Sequence, residues 1–411
     1  MSKIPVEPYK GVRDFYPEDQ AFLNYLFSTI RSFVEKVGYV EYHASVLEPA
    51  ELYRGKTSEE IVNEQGYIFT DRGGREVMLR PEMTPTVARM VAAKRRELGF
   101  PLRLYSIPNV FRYERPQRGR VREHWQLNVD LFGSASPAAD AEVIGVAYGL
   151  MTALGAKEDD FVIKVGSRTY LDEITQEYNL TEGEKTTLLG LLDRKAKMSE
   201  NEFDEQLKVL NIPKERLSES EPPGDIAKMI SDFKDSGIKN VVYAPEIVRG
   251  FNYYTGMVFE VFDTHPSNNR AVMGGGRYDN LLAMFGDERI PTVGFAMGDV
   301  TIRDFLEVRG LLPAYKPPTH VYLATPSPEL AIKVQTLAAE LRSYGVNVAI
   351  DFGERKLGDQ IKNAAKHKIP YTIVVGEDEL QNGEYKIKNL DTGEEIVAKK
   401  EEIAKHVKPS L

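Results

Sequence analysis

Apolar residues at Leu23, Leu26, Phe27, Ile30, Phe33, Val34 and Val37 recur at steps of three and four. They lay one stripe along a helix of about five turns that Gly38 ends. The composition then turns strand-like from Tyr39 to Leu47, and Gly66 to Leu79 reads as a hairpin about the turn Asp71-Arg72-Gly73-Gly74. Leu102 to Glu114 and Glu123 to Phe132 read as two long antiparallel strands. The loop that joins them, Arg115 to Arg122, is too basic to be buried. Ser136 before Pro137 is an N-cap and first-turn signal, and Gly155 stops the helix it opens.

From Tyr170 to about Asn240 the pattern becomes one of charged helices, with Leu188, Leu189, Leu191 and Leu192 closely spaced, as in an inserted helical subdomain. Strand character returns at Val241 to Tyr243 and Met257 to Phe262. The glycine-rich Gly274 to Leu282 then leads into a helix. Leu311 to His320, with Pro313, Pro317 and Pro318, has linker composition. Beyond it, strand Val321 to Ala324, helix Pro328 to Tyr344, strand Val346 to Phe352, helix Arg355 to Lys368 and strand Tyr371 to Val375 alternate as βαβαβ. That order implies parallel strands covered by helices. The expected organisation is α+β: a mainly antiparallel core from 1–169 and 241–312, a helical insertion at 170–240, a linker at 313–318 and an α/β unit at 319–411.

Composition narrows the chemistry. A chain of 411 residues needs more than one core. No apolar run is long enough to span a bilayer, and the N-terminus resembles neither a secretory signal nor a transit peptide, so a cytoplasmic protein is expected. With no cysteine, disulfides, thiolate metal sites and a cysteine nucleophile are excluded. The six histidines show no helical pairing, so no protein-built metal site is expected. A net charge of -9 argues against bulk electrostatic coating of nucleic acid, DNA included.

Period-two reading of Glu123 to Phe132 puts Trp125, Leu127, Val129 and Leu131 on one face and His124, Gln126, Asn128 and Asp130 on the other. In the neighbouring strand Phe111 and Tyr113 alternate with Arg112 and Glu114. Two adjacent strands therefore offer arginine, amide and carboxylate groups to one surface, which suits a ligand carrying both charges. Between them Arg115, Arg118, Arg120 and Arg122 surround Gly119, a cationic loop matched to phosphates.

FRYERPQRGR followed by REHWQLNVD, Phe111 to Asp130, resembles the second motif of class II aminoacyl-tRNA synthetases in its histidine-specific form. Five further segments agree in order. GVRDFYPED from Gly11 resembles the family's N-terminal signature, and Gly38 to Tyr53 resembles the dimer-forming first motif. LRPEMT from Leu79 resembles the amino-acid loop, while RGFNYYTG from Arg249 and GGGRYDNLL from Gly274 resemble the two histidine-specific motifs. The resemblance runs from about residue 9 to the C-terminus and is weakest over the helical insertion. It implies a class II catalytic core on an antiparallel sheet, followed by a C-terminal anticodon-binding domain.

The resemblance also implies the reaction: L-histidine is activated with ATP and Mg²⁺, then transferred to tRNA(His), by a homodimer. The attacking carboxylate is already ionised, so the protein must align two anions and neutralise developing charge, a task for arginine. Arg112 and Arg249 match the two catalytic arginines. Glu82, Thr84 and Gln126, with Met83 between the first two, match positions that hold the α-amino group. Asp130 and Tyr254 match those that contact the imidazole, with Tyr253 and Tyr278 nearby. Arg112, Glu114, Arg120 and Gln126 are expected at ATP, and Arg115 and Gln117 at the acceptor end of the tRNA.

The chain departs from the family pattern in places. Gly298-Asp299-Val300-Thr301 stands where the third motif has Gly-x-Glu-Arg, so the motif arginine is Thr301, and Arg303 would face elsewhere. Asn252 replaces an aspartate, and Ser45 stands near the place of the first motif's proline. Arg355, Lys362 and Lys366 fall on one helix face of the C-terminal unit, a basic stripe that alone reads as a solvated face and that the resemblance assigns to the anticodon. The rival reading is the inactive histidine-binding regulatory paralogue of ATP phosphoribosyltransferase. That subunit usually lacks the C-terminal domain and alters the arginine matched by Arg249, and this chain keeps both.

Overall fold

Pro17 opens the first helix, Pro17–Lys36, where a missing N–H costs nothing, and Glu18 and Asp19 face the positive end of the helix dipole. Its stripe buries Phe22, Leu23, Leu26, Ile30 and Val34, and Gly38, at φ +92°, turns the chain away. The helix packs on Pro137–Ala153, where Gly149 makes room for the ring of Phe33. Truncating Leu26 or Ile30 to alanine in this core would cost about 2–5 kcal/mol. The computed structural model describes residues 4–54, 64–115, 119–195, 198–218, 221–249, 253–268, 270–286, 289–352 and 355–407.

The chain forms two units, Met1–Pro313 and Ala314–Leu411. The first carries β1 (Val40–Glu41), β2 (Leu47–Pro49), β3 (Tyr67–Thr70), β4 (Glu76–Leu79), β5 (Leu102–Ser106), β6 (Asn109–Phe111) and β7 (Glu123–Phe132). It continues with β8 (Phe161–Ser167), β9 (Val241–Tyr243), β10 (Met257–Asp263), β11 (Ala271–Arg277) and β12 (Thr292–Gly298). The large sheet runs β1-β5-β7-β12-β11-β10-β8-β9, with β6 beside β7, and β2-β4-β3 form a small second sheet. The sheet is antiparallel from β5 to β8, and β1 and β9 add in parallel at its edges.

Several expectations change in detail. The strand foreseen over Tyr39 to Leu47 splits, its first part entering the large sheet as β1 and its end the small one as β2. The strand foreseen over Leu102 to Glu114 divides into β5 and β6 at Pro108, which has no N–H for the ladder. The register carries through, because Pro108 still accepts from the Gln126 amide and Arg112 donates to Arg122. The expected hairpin turn forms, closed by the Asp71 carboxylate, which accepts from the amides of Gly73 and Arg75. Gly274 to Gly276 lie inside β11, and only a short 3-10 turn, Leu282–Phe285, follows Tyr278.

Arg168–Glu177, Glu182–Arg194 and Glu200–Val209 share a small core of their own, with Tyr170, Leu188, Leu191, Phe203 and Leu207 buried together. The helix Gly224–Asp235 instead sends Ile226, Met229 and Ile230 into the main core, packing on β9 and on the helix Pro137–Ala153. In the second unit β13 (Val321–Ala324), β14 (Val348–Ile350) and β15 (Tyr371–Val374) are parallel, as the βαβαβ pattern requires. An antiparallel hairpin, β16 (Glu384–Asn389) and β17 (Glu395–Lys399), extends that sheet.

Candidate active site

The polar face of β7 forms the floor of a cleft of about 260 Å³, into which His124, Gln126, Asn128 and Asp130 all turn. Opposite Asp130, Asn128 and Gln126 on β12 stand Gly294, Ala296 and Gly298, small residues that keep the floor open. A Cβ on Gly294 would collide with the Asp130 carboxylate. A residue pattern of period two thus becomes a polar trough beside a tightly packed neighbour.

At the closed end Asp130 is 3% exposed. The Tyr278 hydroxyl donates to its Oδ1, and its Oδ2 is buried with no hydrogen-bond partner among the described residues. Burial pushes this carboxyl up to about 7, against the opposing hydrogen bond from Tyr278. Tyr253 donates to Glu82 at 3.1 Å, and the rings of Tyr254 and Tyr278 lie 4.9 and 5.8 Å from that of Tyr253. Burial holds the phenols of Tyr253 and Tyr278 well above their usual range, so both keep their protons as donors.

Arg249 enters from the opposite wall. Its backbone is left-handed, at φ +58°, and its carbonyl accepts from Arg168 at 2.7 Å. Nη1 donates to Glu260 at 2.6 Å, and the guanidinium sits 5.9 Å from the Tyr254 ring centroid. Glu260 pairs across the ladder with Gly274, and a Cβ on Gly274 would collide with the guanidinium. The first glycine of that run therefore clears space for a cation. Burial works against the charge, but Tyr254 and Glu260 outweigh it and raise the pKa, while Nε has no hydrogen-bond partner among the described residues.

At the open end Arg112 is anchored by Nε to the Pro81 carbonyl at 2.9 Å, and Arg120 lies 3.3 Å from Glu114. The Glu114 oxygen that faces Arg120, Oε2, is buried and makes this ion pair without a hydrogen bond among the described residues. His124 is held down to about 3 by burial, then by the neighbouring charges of Arg112 and Arg13, so the imidazole is neutral. Thr301 donates to the carbonyls of Val272 and Gly298, at 2.9 and 3.1 Å. Arg303 faces away, bonded to Asp19 at 2.9 Å and lying over Phe22.

The cleft gathers Glu82, Thr84, Arg112, Glu114, Arg120, Gln126, Asp130, Arg249, Tyr253, Tyr254 and Tyr278 from the sequence expectations. It does not gather Met83, which is fully buried in front of the helix Thr84–Lys94, or Arg115, which is exposed outside it. Gln117, Arg118 and Asn252 lie outside the described residues. Arg122 corrects the picture of a wholly solvated basic loop. It is 7% exposed, donates to the Tyr9 hydroxyl at 3.1 Å and stacks 3.7 Å from the Tyr113 ring centroid. His124, Asn128, Glu260 and Asp299 were not singled out for the site, although alternation had already placed His124 and Asn128 on its face.

The sequence matches the family described as histidyl-tRNA synthetase over residues 11–219 and 200–301, and an anticodon binding domain over 320–409. It is similar to the histidine–tRNA ligase of Leptospira biflexa, with 38% identity covering 100% of this chain and 99% of that protein. Thermoplasma volcanium has a ligase of the same name that is 37% identical, with 96% of each chain covered. The fold resembles the crystal structure of a histidyl-tRNA synthetase from Nostoc sp. PCC 7120, with a TM-score of 0.82 at 23% identity over 98% of this chain and 99% of that one.

Proposed function

Because the chain belongs to the histidyl-tRNA synthetase family and is an aminoacyl-tRNA ligase for histidine, we propose that its cleft activates L-histidine through the residues just described. The observation that carries this assignment is the buried Asp130, one oxygen bonded to Tyr278 and the other without a hydrogen-bond partner among the described residues. A ligand with an apolar side chain would leave that oxygen unpaired, whereas an imidazole N–H satisfies it. Tyr254 stands with Asp130 at the ring. Glu82, Thr84 and Gln126 hold the α-ammonium group.

In the first step a histidine carboxylate oxygen attacks the α-phosphorus of ATP, a P–O bond forms, and the bond to the bridging oxygen breaks to release pyrophosphate. Arg112 and Arg249 face the α-phosphate from opposite walls, both already fixed by protein partners, so they need little reorganisation as charge develops. Arg120 and Glu114 lie along the remaining phosphates. Mg²⁺, carried in with the nucleotide, would supply further neutralisation of phosphate charge. Of the carboxylates lining the cleft, Asp130 and Glu82 stand at the amino-acid end with Tyr278 and Tyr253, so Glu114, which faces Arg120 at 3.3 Å where the phosphates are expected, would be the acid to hold the ion. In the second step a terminal ribose hydroxyl of tRNA(His) attacks the acyl carbon and AMP leaves, with Arg115 and Gln117 at the acceptor end.

Residues 319–411 are read as the anticodon-binding domain and 170–240 as an insertion in the core of 1–169 and 241–312. We read the working form as a cytoplasmic homodimer paired through Gly38 to Tyr53, where Val40 is 63% and Leu47 is 43% exposed. Among the described residues no helix is long and apolar enough to cross a membrane. Exchange of pyrophosphate into ATP, assayed with each of the twenty amino acids, tests the whole reading. Exchange with histidine alone is expected, and its absence would remove the assignment and favour a histidine-binding protein without ligase activity.

A further inference from the structure

The N-terminal segment Tyr9 to Phe15 lies across the start of β7 without contributing a side chain to the cleft. Gly11 accepts from the Arg122 amide at 2.6 Å, the Phe15 ring meets Trp125 edge-on at 5.1 Å, and the Arg13 guanidinium lies 5.0 Å from the Phe15 ring centroid. Arg13 also reaches the Asp299 Oδ2 at 2.9 Å, and the other Asp299 oxygen accepts from the Trp125 amide at 2.9 Å. The Asp299 side chain is 2% exposed. One buried carboxylate thereby joins three pieces of chain: the N-terminal segment, the head of β7 and the first turn of the helix Asp299–Val308.

Those last two pieces hold one end of the cleft. His124 flanks Trp125 on β7, and Gly298, Val300 and Thr301 flank Asp299. Asp130 lies six strand steps beyond His124, which at about 3.3 Å each places the two ends roughly 20 Å apart. The amino-acid end is built from Asp130 with Tyr278 and Glu82 with Tyr253, pairs bonded within that end.

We propose that Arg13 is a positioning residue for the nucleotide end of the cleft, acting through Asp299 to fix the wall made by His124, Val300 and Thr301. The inference rests on the activation reading above. Removing the guanidinium leaves a carboxylate buried without its counter-charge, which must take up a proton, draw in water or move with the first turn of its helix. Each undoes the tie between the N-terminal segment and the wall that meets the nucleotide and leaves the histidine end in place. The cation also lies near His124, so its loss changes the field at the same wall.

The test is pyrophosphate exchange by the intact chain and by Arg13→Ala, Arg13→Lys, Asp299→Asn and the Arg13→Ala/Asp299→Asn double variant, below the melting temperature of each. Arg13→Ala is expected to raise KM for ATP about tenfold while KM for histidine stays within about twofold. Arg13→Lys should recover most of the loss, and the double variant should be no worse than the poorer single one. Equal rises in both KM values, unchanged kinetics, or losses that add in the double variant would overturn the proposal while leaving the function standing. An intact chain without histidine-dependent exchange would overturn both.

Discussion

The Tyr278 hydroxyl donates to one oxygen of the Asp130 carboxylate, and the second oxygen of that buried group has no hydrogen-bond partner among the described residues. A group in this state is costly to the empty protein and useful only when a donor arrives. Asp130→Asn keeps the shape and the acceptor for Tyr278 but offers an amide where a carboxylate stood. We expect kcat/KM for histidine in the exchange assay to fall by about 100-fold or more. A change of less than about threefold would mean that Asp130 does not read the ring.

The same substitution predicts a pH-dependent gain in stability. Burial raises the Asp130 carboxyl from its usual value of 3.8 to about 7. The folded chain therefore binds the proton more tightly than the unfolded chain, and this contribution is full below pH 3.8 and lost as pH rises through 7. Asp130→Asn should match the parent near pH 4, gain on it up to about pH 7 and hold a constant lead above, with a ceiling on the order of 4 kcal/mol. Denaturant melts at several pH values read this directly. A lead that does not vary with pH would contradict it.

Gly274 and Arg249 make a second test, because the glycine is needed for room and not for a turn. Gly274→Ala puts a methyl group into the Arg249 guanidinium, which must then leave Glu260. It should lower kcat for exchange in the same direction as Arg249→Ala, for which roughly 100- to 1000-fold is expected. Arg249→Lys should rescue poorly, since one ammonium cannot both hold Glu260 and present a fork to phosphate. Full activity in Gly274→Ala would show that the guanidinium position is unimportant.

Much of this site was legible because β7 alternates with a period of two, so its polar set is visible in ten consecutive residues, and ordered motifs add Arg249 and the tyrosines. Contacts between distant segments leave no such mark. Arg13 meets Asp299 across 286 positions, and nothing near either residue announces the other. Arg122 sits in an arginine-rich loop yet packs on Tyr113 just before that loop and on Tyr9, which comes from the distant N-terminal segment. The division of one strand at Pro108 was readable from proline chemistry alone. The hairpin β16–β17 was missed because Glu384 to Asn389 alternates two apolar residues with lysines on a short, half-buried stretch.

Arg303 offers a negative prediction. It follows Thr301 by two residues but is bonded to Asp19 on the far side of its helix, outside the cleft. Arg303→Ala should leave the KM for ATP within about twofold and cost at most about 1 kcal/mol of stability, as for other partly exposed ion pairs. A large rise in that KM would show that Arg303 reaches the nucleotide in the working enzyme.

The basic stripe of the second unit is narrower than the spacing of its residues suggests. Arg355 precedes the helix Leu357–Lys366 and pairs at 3.1 Å with Asp351, whose side chain is fully buried, so it serves the unit's own structure. Lys362 and Lys366 are exposed, and the pairing of Lys362 with Asp359 at 3.2 Å is solvated and weak. The unit keeps its own core, with Val321, Leu323, Val334 and Ile373 buried, so charge reversal on this face should not disturb folding. In the whole chain, Lys362→Glu with Lys366→Glu should lower kcat/KM for charging tRNA(His) by about tenfold at low salt. The dependence on salt should weaken, because fewer phosphates would be neutralised. Pyrophosphate exchange, which needs no tRNA, should be unaffected. Charging that keeps both its rate and its salt dependence would move the tRNA contact off this helix, leaving the anticodon to another face of the unit.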